Sequence, residues 1–200
     1  KTINEMTHAL NRTEFGDNAN KGNLISLEEA NQLLNDWVKS DSLKRHMRQV
    51  AAVMKAWAKD VDGLDETGQR KWELAGLLHD ADWDQWPDDH CRRIIEELER
   101  RAVDPEIIRA IASHGPRFFG VEPVTQMDKM LYAFDELSGL IHAYSLMRPT
   151  GYDGMDAKGV RKRLKDKTFA AQVSREDIAD AAQRAGRDLD ELIAFPIRHQ

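Results

Sequence analysis

Apolar residues recur every third or fourth position along most of this chain, and runs of alternating β-branched residues do not occur. That period suits helices and leaves little material for a sheet. The expected fold class is all-α. Ser26-Leu27-Glu28-Glu29 reads as a capping box, and Leu27, Ala30, Leu33, Leu34 and Trp37 form one apolar stripe behind it. Asp41 or Ser42 can cap a second helix, in which Leu43, Met47, Val50, Met54 and Trp57 share a side with His46. A third helix is expected from about 67 to 79, ending on the apolar run Leu74 to Leu78. Pro87 can open a fourth, through Arg101, at its favoured first-turn position. Asp104-Pro105 caps a fifth that ends at His114-Gly115-Pro116. Thr125 begins a long helix carrying Met127, Met130, Leu131, Phe134, Asp135, Leu137, Ser138 and Ile141. Gly151 to Gly154 is a turn, and helices from about 157 to 164, from Ser174 to Ala185 and from Asp188 to Phe195 close the chain.

At 200 residues the chain fits one domain with a real core. A hydrophobic share of 41% and a charged share of 32% describe a globular protein rather than a disordered one. The net charge of -6 argues against a general nucleic-acid binder, whose domain is usually basic. Cys91 is the lone cysteine, so there is no intrachain disulfide and no thiolate metal cluster. A reducing, cytoplasmic setting is expected. No apolar stretch reaches membrane-spanning length, and no membrane partner is expected. The chain opens on Lys1 rather than Met, which leaves its native start and any removed signal peptide open.

Chemistry concentrates at His79-Asp80. An imidazole and a carboxylate side by side can both reach one divalent ion, or the carboxylate can bridge two. Partner donors lie elsewhere: His46 upstream, then His90, His114 and Asp135 downstream. A metal site in a helical protein needs donors from several helices, each on an otherwise apolar face. His46, among Leu43, Met47 and Val50, meets that test. So does Asp135, among Leu131, Phe134 and Ser138. A carboxylate on an apolar helix face is costly unless paired or metal-bound. The plainer reading of these four residues is a buried His-Asp hydrogen-bond network or a capping aspartate.

His46, then His79-Asp80 ending "AGLLHD", then Asp135 in "YAFDELSGLI", resembles the HD superfamily of metal-dependent phosphohydrolases. The resemblance covers about residues 43 to 148. "GLLHDADWDQWPDDH", "AIASHG" and "DELSGLIHA" further resemble a small bacterial subgroup of predicted HD hydrolases, with similarity running on through "RKRLKDKTFA". It implies a single helical-bundle domain over 1–200, with the core at about 43–148, an N-terminal extension over 1–40 and a C-terminal one over 155–200. It also implies that His46, His79, Asp80 and Asp135 bind one metal. In binuclear members two further histidines between the HD pair and the last Asp hold a second metal, with the HD aspartate as bridge. His90 and His114 lie in that interval. The cofactor expected is one or two divalent ions, of Mn, Fe, Ni, Co, Zn or Mg.

Other residues carry weaker signals. His114 also reads as a helix C-terminal histidine favoured by the macrodipole, and His90 as a surface residue of a charged helix. Asp82 and Asp84, after the HD pair, are candidates with Asp80 for acid-base catalysis; solvated loop acids are their plainer reading. Trp83 and Trp86 can wall a pocket or simply pack. Lys44, Arg45, Arg148, Lys162 and Arg163 are candidates to hold substrate phosphate, against the plainer reading of solvated helix faces. His142 reads as a core or surface residue; His8 and His199 carry no expected role.

The leading expectation is a metal-dependent phosphohydrolase acting on a small phosphorylated molecule, nucleotides among the candidates. An HD-type diiron oxygenase using the same donors is the enzymatic alternative. A non-catalytic module binding a nucleotide or partner through a retained fold is the other.

Overall fold

The computed structural model describes residues 8–199. Among them the secondary structure is helical throughout, with no strand. The helices are α1 (Leu27–Trp37), α2 (Asp41–Asp60), α3 (Glu66–Leu78), α4 (Arg92–Arg100), α5 (Pro105–Ala112), α6 (Pro116–Phe119), α7 (Gln126–Met147), α8 (Ala157–Lys165), α9 (Arg175–Ala185) and α10 (Leu189–Arg198). The all-α expectation holds.

Most helices start where a short polar side chain can take an orphan backbone N–H. Ser26 accepts from Glu29, Asp65 from Gly68 and Asp104 from Glu106. Thr125 and Asp128 form a reciprocal capping box at α7. The expected cap of α2 moves by a residue or two: Ser40, not Asp41 or Ser42, accepts the N–H of Leu43. Ser40 is fixed there because Asp84 accepts the N–H groups of both Lys39 and Ser40.

The fourth helix departs more from expectation. Pro87–Asp89 makes one 3-10 turn and stops, and α4 begins only at Arg92. The break puts His90 and Cys91 into the protein interior. The cause is Asp82, which is fully buried and accepts from the N–H of Ile94 and from His90 Nδ1. The fifth helix ends at Ala112, two residues before His114, and Pro116–Phe119 adds a short turn not anticipated from the pattern.

Helix α7 is the central strut, in contact with α2, α3, α5, α8, α9 and α10. Trp57 of α2 packs edge-on to Phe134 of α7 at 5.4 Å and to Phe195 of α10 at 4.9 Å. Such pairs add about 0.5–1.5 kcal/mol beyond area burial. Helices α2 and α3 approach closely at Gly76, where a Cβ would stand 2.8 Å from Ala51 Cα. That approach sets the spacing between His46 on α2 and His79 after α3. Buried Asp104 ties the layers together, accepting from Gly22 N–H and pairing with Lys71 at 2.9 Å. Burial opposes its charge, but the Glu106 N–H, Lys71 and Gly22 outweigh burial and lower its pKa. No helix among the described residues is long and apolar enough to cross a membrane.

Candidate metal centre

His79 stands at the C-cap of α3, with no exposed surface. Its Nδ1 donates to the Gly76 carbonyl at 2.7 Å, which aims Nε2 outward. There Nε2 meets Asp135 Oδ1 at 2.9 Å. His46 reaches the same oxygen from α2, Nε2 to Oδ1, at 2.8 Å. Asp80 completes the group, its Oδ2 lying 3.3 Å from His79 Nε2 and 3.9 Å from His46 Nε2.

The other oxygen of Asp80 serves a second group. Oδ1 lies 3.1 Å from His90 Nε2 and 3.2 Å from His114 Nε2. Each of these rings is also anchored from behind. His114 Nδ1 donates to the Ile111 carbonyl, and His90 Nδ1 lies 2.6 Å from Asp82 Oδ1. Anchors of this kind fix the tautomer and the aim of a ligand ring. In each group the donor atoms lie within 4.8 Å of one another.

The hydrogen bonding gives the chemical test of fit. His79, His90 and His114 have an oxygen at both ring nitrogens. A neutral imidazole carries one N–H and satisfies one acceptor. Each ring therefore keeps one nitrogen–oxygen contact that needs a second proton or a shared cation. Protonating every ring would crowd charge, since His79 and His90 each lie within 5.4 Å of His114 between centroids. Two ligands each about 2.1 Å from one ion stand roughly 3 Å apart, which matches these contacts. Nitrogen and carboxylate donors without thiolate suit Mn, Fe, Co, Ni and Zn.

The same carboxylates dominate the proton affinities. Burial alone would favour neutral His79, but Asp80 and Asp135 drive it well above the usual range. Burial likewise opposes charge on His90, yet bonds to Asp80 and Asp82 push it up to about 9. Burial resists ionisation of Asp80, which His79, His114 and His90 hold well below the ordinary carboxylate value. Burial and then the neighbouring Asp135 charge push Glu136 up to about 8.

A cavity of about 470 Å³ opens over both groups. Apart from the ligand candidates its walls include Trp83, Phe118, Phe119, Tyr132, Glu136 and Asp177. The sequence pattern had pointed to Trp83 alone among these. Glu136 was findable beside Asp135; its Oε2 accepts the Ser174 N–H at 3.2 Å. His8, given no expected role, lines the cavity and contacts the His90 carbonyl.

Several expectations about site residues need correction. Asp82 is neither a solvated loop acid nor a group facing the cavity: both oxygens are engaged behind His90. Asp84 holds the start of α2 and does not line the cavity. Lys44 and Arg45 line a different groove, with Asp41, Arg48, Gln49 and His199. Arg148 donates to the carbonyls of Gly151 and Asp153, closing its own loop. Arg163 packs its guanidinium over Tyr144 at 5.1 Å, and Lys162 is exposed on α8. His90 is buried rather than a surface residue. His142 bonds Tyr152 at 2.8 Å, Trp86 packs on Trp37, and Cys91 is buried with its thiol pKa pushed up by burial.

Asp82 supplies a direct prediction. Asp82→Asn keeps the shape but removes the anion that orients His90. Metal affinity at the His90–His114 group should fall about 10–100-fold. Titration with Mn would read this as one weakened site beside one unchanged; two unchanged sites would remove the orienting role.

Residues 43–140 match the family model of the HD domain. The match spans every donor of both groups, and it indicates a metal-dependent hydrolase-type domain. Comparison with curated proteins and with solved structures returns no match.

Proposed function

We propose, taking the HD-domain match as premise, that this chain is a phosphohydrolase that holds two divalent ions and acts on a small phosphorylated substrate. One observation carries the reading: the two oxygens of Asp80 face two separate histidine groups. His46, His79 and Asp135 would hold one ion, His90 and His114 the other, and Asp80 both. Bound ions would supply Lewis acidity toward a phosphoryl oxygen and make a water acidic near neutral pH.

The chain's own residues do the rest. The Gly76 and Ile111 carbonyls and Asp82 keep three rings aimed at the centre, so little reorganisation accompanies reaction. Phe119 lies against His90 at 5.3 Å and His114 at 5.0 Å between centroids and keeps bulk water off that side. Low local polarity strengthens every charge interaction inside. Glu136, on the cavity wall beside Asp135, is a carboxyl outside both groups able to exchange a proton with substrate.

Elemental analysis of protein purified without chelator, followed by phosphate-release assays with each metal, tests this reading. About two metal equivalents and metal-dependent phosphate release are expected. Protein that takes up no Mn, Fe, Ni, Co or Zn would sink it. Iron-loaded protein that consumes oxygen and releases no phosphate would favour the oxygenase alternative.

A further inference from the structure

The walls of the cavity say something about charge that the donor groups alone do not. Among the described residues, no Lys or Arg lines it. Arg117, beside the wall residue Phe118, is drawn onto Glu176 at 2.8 Å and Asp177 at 3.2 Å. Two carboxyl groups that are not ligand candidates, Glu136 and Asp177, do line it. Proteins that bind phosphate chains place Arg forks or Lys ammonium groups along the chain. Here that equipment is missing, and the lining includes the aromatic side chains of Trp83, Phe118, Phe119 and Tyr132. Trp83 is 40% exposed and Phe118 is half-buried, so both keep aromatic surface accessible at the cavity.

We infer that the cavity selects a single phosphoryl group carried on a flat, uncharged body and discriminates against di- and triphosphates of that body. The inference rests on the hydrolase reading above. Two divalent ions set against Asp80, Asp135 and the Asp82 anion behind His90 leave roughly one positive charge, which one phosphomonoester of about −2 already offsets. A second or third phosphate brings charge that no Lys or Arg among the described residues lining the cavity offsets. The flat body stacks between Trp83 and Phe118, where every aromatic surface finds a partner.

Adenosine 5′-mono-, di- and triphosphate share one body and differ in charge, so they isolate the effect. Phosphate release is measured at saturating free metal, so that chelation by the longer chains does not strip the centre. kcat/KM should fall at least about tenfold from the monophosphate to the triphosphate. An equal or higher value for the triphosphate would overturn the inference. Gln172, exposed on the cavity lip, gives a second arm. Gln172→Arg adds a guanidinium and should narrow the mono-to-triphosphate ratio several-fold; an unmoved ratio counts against charge as the selecting feature. If none of the three is hydrolysed, that bears on the hydrolase reading and not on charge selection. Calorimetric binding of the same three ligands to metal-loaded protein then decides the charge preference, with the monophosphate tightest if the inference holds and the triphosphate as tight or tighter if it does not.

Discussion

Replacing Asp80 by alanine is expected to empty both halves of the centre together. Metal content should fall from about two equivalents to near none, and metal-dependent phosphate release by on the order of 10³-fold or more. Among the described residues, Asp80 is the one with an oxygen in each group, 3.3 Å from His79 Nε2 on one side and 3.1 Å from His90 Nε2 on the other. His90→Ala, by contrast, leaves His46, His79, Asp80 and Asp135 in place and should cost about one equivalent. Asp80 also offsets positive charge on His79, so its loss perturbs the metal-free protein as well. Circular dichroism and thermal unfolding of metal-free Asp80→Ala separate that effect from metal loss. Retention of one full-affinity site in folded Asp80→Ala would show that the carboxylate does not bridge.

How much of this was legible beforehand follows from what one-dimensional pattern encodes. Helix class and order were readable because apolar stripes and caps such as Ser26, Thr125 and Ser174 are local signals. His46 and Asp135 could be singled out because each interrupts an apolar stripe, and stripes face inward. The basic residues misled for a geometric reason. Successive helix residues turn by about 100°, so Arg45 and Lys44 point roughly 100° and 200° away from His46. They face the groove beside His199 instead of the cavity. Asp82 lies in a segment without periodicity, and nothing local distinguishes a buried loop carboxylate from a solvated one. The cavity walls were the least legible part. Phe118, Glu136 and Asp177 come from α6, α7 and α9, and only tertiary packing brings them together.

Gly76→Ala tests the link between that packing and the centre. In most helix interiors this exchange gains about 1 kcal/mol, since Gly is the poorer helix former. At Gly76 the sign should reverse. The new methyl would lie 2.8 Å from both Cα and N of Ala51 and 3.0 Å from the Val50 carbonyl carbon. These are backbone atoms of α2, with no rotamer to yield, so the helices must separate. Overpacking of this kind costs about 1–3 kcal/mol, and rigid backbone on both sides places the site at the upper end. A net loss of about 2 kcal/mol is expected, read as a lower urea midpoint at unchanged slope. Gly139, in α7, has nothing within 4 Å of its absent Cβ, and Gly139→Ala should raise the midpoint. The separation also reaches the chemistry. Helix α2 carries His46 and the Gly76 carbonyl orients His79, whose rings sit 5.5 Å apart. Metal affinity of the His46–His79–Asp135 group should therefore drop with stability, while the His90–His114 group, held by Asp82 and Ile111, keeps more of its own. A destabilised Gly76→Ala protein that loads both ions with wild-type affinity would mean that the α2–α3 spacing serves the fold alone.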